Sequence, residues 1–162
     1  MVNEWNKPGL PRKGWECVDV IDIRPNDEPI ADDEYETCEM CGNHPIRYVH
    51  VMEHEDHGEQ VNVGCVCAEH MTDDYVNPKS RETKLKNRSA RRRNWLSLKW
   101  KTSKKGNPYL KKDGMILTIF PDKFRDGHWG FGVDREFSSD KYPSQEAAKM
   151  ALFEVYWNKL NQ

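Results

Sequence analysis

Four of the chain's five cysteines fall within 30 residues, as Cys38-Glu39-Met40-Cys41 and Cys65-Val66-Cys67, and no other feature constrains the fold as much. Cysteines in two local groups separated by a hairpin-length gap are distributed as metal ligands are, whereas a disulfide framework needs an oxidising compartment. Each ligand pair needs one tight turn to aim both side chains inward, and Gly42, directly after the first pair, accepts the backbone angles of such a knuckle. The second group continues to His70, so Cys65, Cys67 and His70 compete for two places. Cys67 and His70 have the three-residue spacing of ligands on the first turn of a helix; Cys65 and Cys67 would instead align on one side of an extended segment. Either choice closes a tetrahedral site around Zn2+ with no open position, and Cys38, Cys41 and Cys67 belong to both. Such a metal is a structural staple. Cys17 is left over and reads as a small buried hydrophobe.

A staple suits the composition. Of 162 residues only 36 % are hydrophobic, and the mean hydropathy is -0.95, which favours two small modules over one large core. Cys17 to Ile23 is a strand candidate ended by Arg24-Pro25-Asn26-Asp27, and Ile46–Met52 and Gln60–Val63 flank a polar loop as a hairpin. Gly64 breaks the second strand, and Cys65 to Met71 forms the first turns of a short helix. The order of knuckle, hairpin and helix-borne ligands over residues 36–76 resembles the treble-clef group of zinc folds. The chain departs from that group in carrying Cys-x-Cys at the second ligand pair, which leaves the fourth ligand open between Cys65 and His70.

His44, His50, His54 and His57 raise the alternative of a catalytic metal, but a metalloprotease helix needs Glu directly after the first of two histidines four apart, and Val51 follows His50. These histidines are expected at a solvated hairpin tip. There is no nucleophile elbow, phosphate-binding glycine loop or paired-carboxylate motif, so the expectation is a protein that binds and does not catalyse.

The net charge of -2 conceals segregation. Residues 1–76 hold 18 acidic and 5 basic side chains, residues 77–105 hold 1 and 12, and residues 106–162 hold 8 of each. Asn77-Pro78 is a good helix start, and a Lys/Arg-rich helix is expected from Pro78 to about Leu98. Its few apolar positions leave most of its surface to solvent or to a polyanion. Lys84, Lys86, Arg88, Arg91, Arg92, Arg93, Lys99 and Lys101 are the candidate nucleic-acid contacts, with Trp95 and Trp100 expected to serve in packing.

In the last block, Asn107–Leu110, Met115–Phe120 and Trp129–Val133 read as three strands separated by the turn signals Asp113-Gly114 and Asp126-Gly127. Ser144 caps a closing helix from Gln145 to about Leu160. Gly127-His128-Trp129-Gly130-Phe131-Gly132-Val133 followed by Tyr142-Pro143-Ser144-Gln145-Glu146-Ala147-Ala148 resembles the strand and helix start of the DNA-binding domains of plant ethylene-response factors and phage-integrase N-termini. That resemblance implies a sheet laid against the major groove, with Tyr109, Trp129 and Phe131 as stacking candidates whose commoner fate is the core.

The expected class is therefore α+β: a zinc-stapled hairpin and helix module (1–76), a basic linking helix (77–105), and a three-stranded antiparallel sheet with one helix (106–162). The expected function is nucleic-acid binding, DNA ahead of RNA. The rival is a protein-interaction adaptor or inhibitor using the acidic N-terminal and basic central surfaces. No apolar run approaches the roughly 20 residues that span a bilayer, and the N-terminus lacks the basic start and apolar stretch of a signal peptide, so a cytoplasmic location without membrane partners is expected.

Overall fold

The apolar run after Trp15 forms strand β1 (Glu16–Asp22) in the computed structural model, which describes residues 3–162. It pairs antiparallel with β2 (Tyr48–His54), which pairs in turn with β3 (His57–Val63). The hairpin turn is only Glu55-Asp56, tighter than the polar loop expected from sequence, because His54 and His57 continue the ladder as a cross-strand pair. They pack against the buried Trp15 ring at 5.2 and 5.4 Å and are not a solvated tip. Central strand β2 buries Val49, His50, Val51 and Met52 in succession, whereas the edge strand β1 leaves Val18 and Ile21 exposed.

Helix α1 (Cys65–Thr72) starts after Gly64 and stops where Asp73 takes a left-handed conformation. Its Ala68 and Met71 complete a core with Trp15, Met40, Ile46, Met52 and Val63. Helix α2 (Asn77–Arg93) follows. Asp74, and not Asn77, caps this start: its carboxylate accepts from the amides of Val76 and Asn77 at 3.0 and 2.9 Å. These hydrogen bonds hold the Asp74 carboxyl below the usual carboxylate range.

The chain divides into two compact units whose boundary lies inside α2, between Ser89 and Ala90. The segment read as a separate linker is thus shared between them. Within the first unit, Arg47 fastens the helix: its guanidinium donates to both Asp22 oxygens at 2.8 and 3.0 Å, to Asp27 at 2.8 Å and to the buried Ser89 hydroxyl at 2.9 Å. Arg81 and Arg88 add hydrogen bonds to the carbonyls of Cys17 and Pro25.

In the second unit, β5 (Pro108–Lys112), β6 (Met115–Pro121) and β7 (Trp129–Val133) are the expected three strands. Two-residue edge strands, β4 (Lys101–Thr102) and β8 (Glu136–Phe137), extend them to a five-stranded antiparallel sheet in sequential order. Strands that short carry no periodicity to read. Helix α3 (Gln145–Leu160) is capped by the Ser144 hydroxyl, which accepts from the Ala147 amide at 3.0 Å, and it covers one sheet face.

Trp95 explains why α2 ends at Arg93 and not near Leu98. The indole is fully buried, stacks on Tyr156 with ring centroids 4.9 Å apart, meets Phe153 edge-on, and donates to the Lys149 carbonyl at 2.6 Å. Burying it outweighs one further helical turn. Trp100 packs edge-on against it. Replacing Trp95 with Ala is expected to destabilise the second unit by about 3–5 kcal/mol; denaturant unfolding followed by circular dichroism measures this, and a destabilisation under about 1 kcal/mol would remove Trp95 from the core.

Candidate metal centre

The knuckle is built by the backbone. The Cys38 carbonyl accepts from the Gly42 amide at 2.8 Å, the Cys38 amide donates to the Asn43 carbonyl at 2.9 Å, and Gly42 closes the turn at φ 76°. Cys38 and Cys41 are thereby aimed at Cys67, which α1 carries from the opposite side. The three sulfurs lie within 4.8 Å of one another and form a set that can hold a metal ion.

The surroundings fit a cation. The Cys38 thiol is lowered to about 5, first by the hydrogen bond from the Cys67 thiol, against the effect of burial, and then by the amides of Cys41, Gly64 and Met40. Cys67 is correspondingly pushed up, since its own proton is the one donated to the Cys38 sulfur and its thiol is buried. Amides directed at a thiolate are what a cysteine knuckle offers a thiolate-bound metal, and a cation would let all three sulfurs ionise together.

The other two sequence candidates part company. His70 follows Cys67 by one helical turn and lines the same cavity, with Trp5 edge-on against its ring and its Nδ1 3.1 Å from the Tyr75 hydroxyl. Cys65 touches the cavity wall, but its sulfur gathers with His50 and Glu82, again within 4.8 Å of one another. The Cys65 thiol donates to Glu69 at 3.4 Å, and His50 Nε2 lies 3.3 Å from Glu82 Oε2. Burial, followed by the Glu82 and Glu69 carboxylates, pushes the Cys65 thiol up to about 12. For His50, burial favours the neutral ring, but Cys17 and Glu82 outweigh it and raise the pKa. Burial would also raise Glu82, and hydrogen bonds from His50 and Cys65 with the Lys86 charge hold it below its usual range instead.

Sequence reasoning passed over His50 and Glu82 as ligands. Two signals mark them: a histidine inside the apolar run Val49-His50-Val51-Met52, and a single acid among the twelve basic residues of 77–105.

Of the candidate nucleic-acid contacts, Lys84, Lys99 and Lys101 are exposed. Lys86 is exposed but paired with Glu82 at 3.3 Å and lies over the Tyr48 ring, while Arg88 donates to Pro25. Arg91 donates to the Tyr156 hydroxyl at 3.0 Å, lies 3.8 Å from Asp113 and sits over Trp157. Arg92 is half-buried and Arg93 exposed. Of the stacking candidates, Phe131 is in the core and Trp129 packs against it; Tyr109 is half-buried on the other sheet face. Among the described residues no helix is long and apolar enough to cross a membrane.

Comparison with protein-family profiles, with curated proteins and with solved structures finds no match. What the site can do therefore rests on its own chemistry.

Metal held by three thiolates must leave as they take up protons, so lowering the pH or adding a chelator should empty the centre and lower the melting temperature of the first unit. Cys67→Ser should remove one metal equivalent and reproduce that destabilisation. Equal melting curves for metal-loaded and chelated protein, with elemental analysis showing metal in the first and none in the second, would rule out a structural role.

Proposed function

We propose that the chain is a non-enzymatic nucleic-acid-binding protein, with DNA as its leading partner, whose first unit is stapled by one structural Zn2+ and whose second unit presents its open sheet face to the nucleic acid. Thiolate-rich tetrahedral sets favour zinc among the common divalent ions. Cys38, Cys41 and Cys67 supply three ligands, and His70, at the rim of the same cavity, is the natural fourth.

The observation that carries the binding reading is the composition of the sheet face turned away from α3. Cross-strand partners share a face, so the register Lys101–Tyr109–Thr118–Gly132–Phe137 runs across all five strands on one side. Lys111 and Ile116 lie on that side, as do Phe120 and Gly130. Phe137 is 67 % exposed, Ile116 46 % exposed, and Lys101 and Lys111 are exposed with them. Phe120 and Phe137 meet edge-on at 5.7 Å, and Lys141 reaches over the Phe120 ring.

Glycine makes this possible. A Cβ on Gly130 would come within 2.8 Å of the Phe120 ring, and one on Gly132 within 2.8 Å of Phe137. Bare strand lets both rings lie across β7. An exposed ring, Phe137, beside the half-buried Phe120 and interleaved with lysines is the chemistry of a surface that stacks on bases and neutralises phosphates. Lys104 and Lys105, exposed in the turn after β4, extend the positive charge beyond the sheet.

Fluorescence anisotropy with labelled DNA and RNA tests the reading. Affinity should fall steeply with salt, and Lys101→Ala with Lys111→Ala should weaken binding and flatten the log–log salt slope by roughly 0.9 for each duplex phosphate no longer neutralised. Phe137→Ala should cost about 1–3 kcal/mol if the ring stacks on a base. These positions are better probes than Arg91, whose replacement would also remove its interactions with Tyr156 and Asp113. Absence of salt-sensitive binding to either nucleic acid would sink the proposal.

A further inference from the structure

We infer that the first unit carries a second divalent-metal site, separate from the three-cysteine centre, formed by His50 of β2, Cys65 of α1 and Glu82 of α2. Three elements distant in sequence bring one nitrogen, one sulfur and one carboxylate oxygen within 4.8 Å of one another. A mixed donor set of this kind suits Zn2+, and also Co2+ as its spectroscopic substitute.

The cluster is poorly explained as ordinary packing. His50 is fully buried, and the nitrogen that faces the cluster, Nε2, makes a long contact to Glu82 at 3.3 Å. A buried imidazole nitrogen with so long a contact to its carboxylate is accounted for by an ion seated between them, which would take the Nε2 lone pair. Around the same point stand two carboxylates, Glu82 and the largely buried Glu69, with Lys86 3.3 Å from one and Lys79 3.8 Å from the other, both lysines being exposed. A divalent ion placed among the donors supplies the charge that these rim lysines do not bring inside.

The cluster is also a poor nucleophile site. A reactive thiol needs a cation or an uncommitted base beside it; His50, the base within reach, is engaged by Glu82 at 3.3 Å, and the Cys65 thiol itself donates to Glu69 at 3.4 Å. With three protein ligands, and Cys65 only partly buried, the fourth position is open to water or to the Glu69 carboxylate.

The two centres do not compete. Cys65 and Cys67 stand two positions apart on one helix and project to nearly opposite sides, so each serves its own site.

The test is metal stoichiometry of the full chain, stripped and then reconstituted with Zn2+ or Co2+, read by native mass spectrometry and by the visible spectrum of the Co2+ form. The wild type should bind two equivalents. Glu82→Gln, nearly isosteric, and Cys65→Ser should each bind one, and both should keep the intense sulfur-to-cobalt bands of the three-cysteine centre; Cys38→Ser should also bind one but show only the weaker sulfur-to-cobalt band of a single thiolate. A wild type whose single equivalent is kept in Glu82→Gln overturns the proposal. So does a second equivalent that survives both Glu82→Gln and Cys65→Ser, and so does disappearance of the three-cysteine bands in Cys65→Ser, which would return Cys65 to that centre. Failure of the three-cysteine centre alone would look different: a single wild-type equivalent, absent from Glu82→Gln and present in Cys38→Ser.

Discussion

The first unit is organised by the turn of a two-turn helix. Each residue of an α-helix advances about 100°, so neighbours two apart face away from each other while those three or four apart share a side. In α1 this places Cys67 and Met71 towards the knuckle and the core, the exposed His70 on the cavity rim beside Cys67, and Cys65 with Glu69 towards His50 and Glu82. An extended segment would have aligned Cys65 with Cys67 and made one all-thiolate centre. Helix formation after Gly64 divides the donors into two groups, and the knuckle, β2 and α2 are arranged around that division.

The acidic excess of residues 1–76 meets the first half of the basic helix inside the same unit. Arg47 bridges Asp22, Asp27 and Ser89, and Arg81, Lys86 and Arg88 turn to carbonyls, to Glu82 and to Tyr48. Asp22 has a side chain only 6 % exposed, so its pairing with Arg47 is bidentate out of need: an unpaired carboxylate there would destabilise the unit by about 3–5 kcal/mol. A charge count along the sequence cannot separate such structural cations from uncommitted ones. After this intramolecular pairing, the basic side chains best placed for a polyanion are exposed lysines such as Lys99, Lys101, Lys104 and Lys105.

Much of the fold was legible because its signals are local. Gly42 and Gly64 marked the knuckle and the helix start, Asp113-Gly114 marked a hairpin, and Ser144 marked the cap of α3. The missed features depend on distant partners. Nothing near Arg93 announces that Trp95 will leave the helix, because its partners Phe153 and Tyr156 lie some 60 residues on. The two-residue strands β4 and β8 exist only as additions to a sheet already formed. Three cysteines of the candidate metal centre were readable from spacing, but the gathering of His50 and Glu82 with Cys65 was not, since spacing within one segment says nothing about what a strand and a second helix bring to it.

The sheet of the second unit shows how register turns an ambiguous set of aromatics into two surfaces. Ile119 pairs with Phe131 and Pro121 with Trp129, which puts those two rings beneath α3 with Leu117 and Val133. One position away, Phe120 opposes Gly130 and Thr118 opposes Gly132, so the other face of β7 has no side chains of its own there and is covered by rings from its neighbours. In Trp129-Gly130-Phe131-Gly132-Val133, the alternation of large residue and glycine therefore has a physical meaning: one face fills a core and the other is left bare. Burying Phe120 and Phe137 completely would have needed a second covering layer. Without that layer Phe120 stays half-buried and Phe137 exposed, beside Lys101, Lys111 and Lys141, and it is this open face on which the proposed nucleic-acid contact rests.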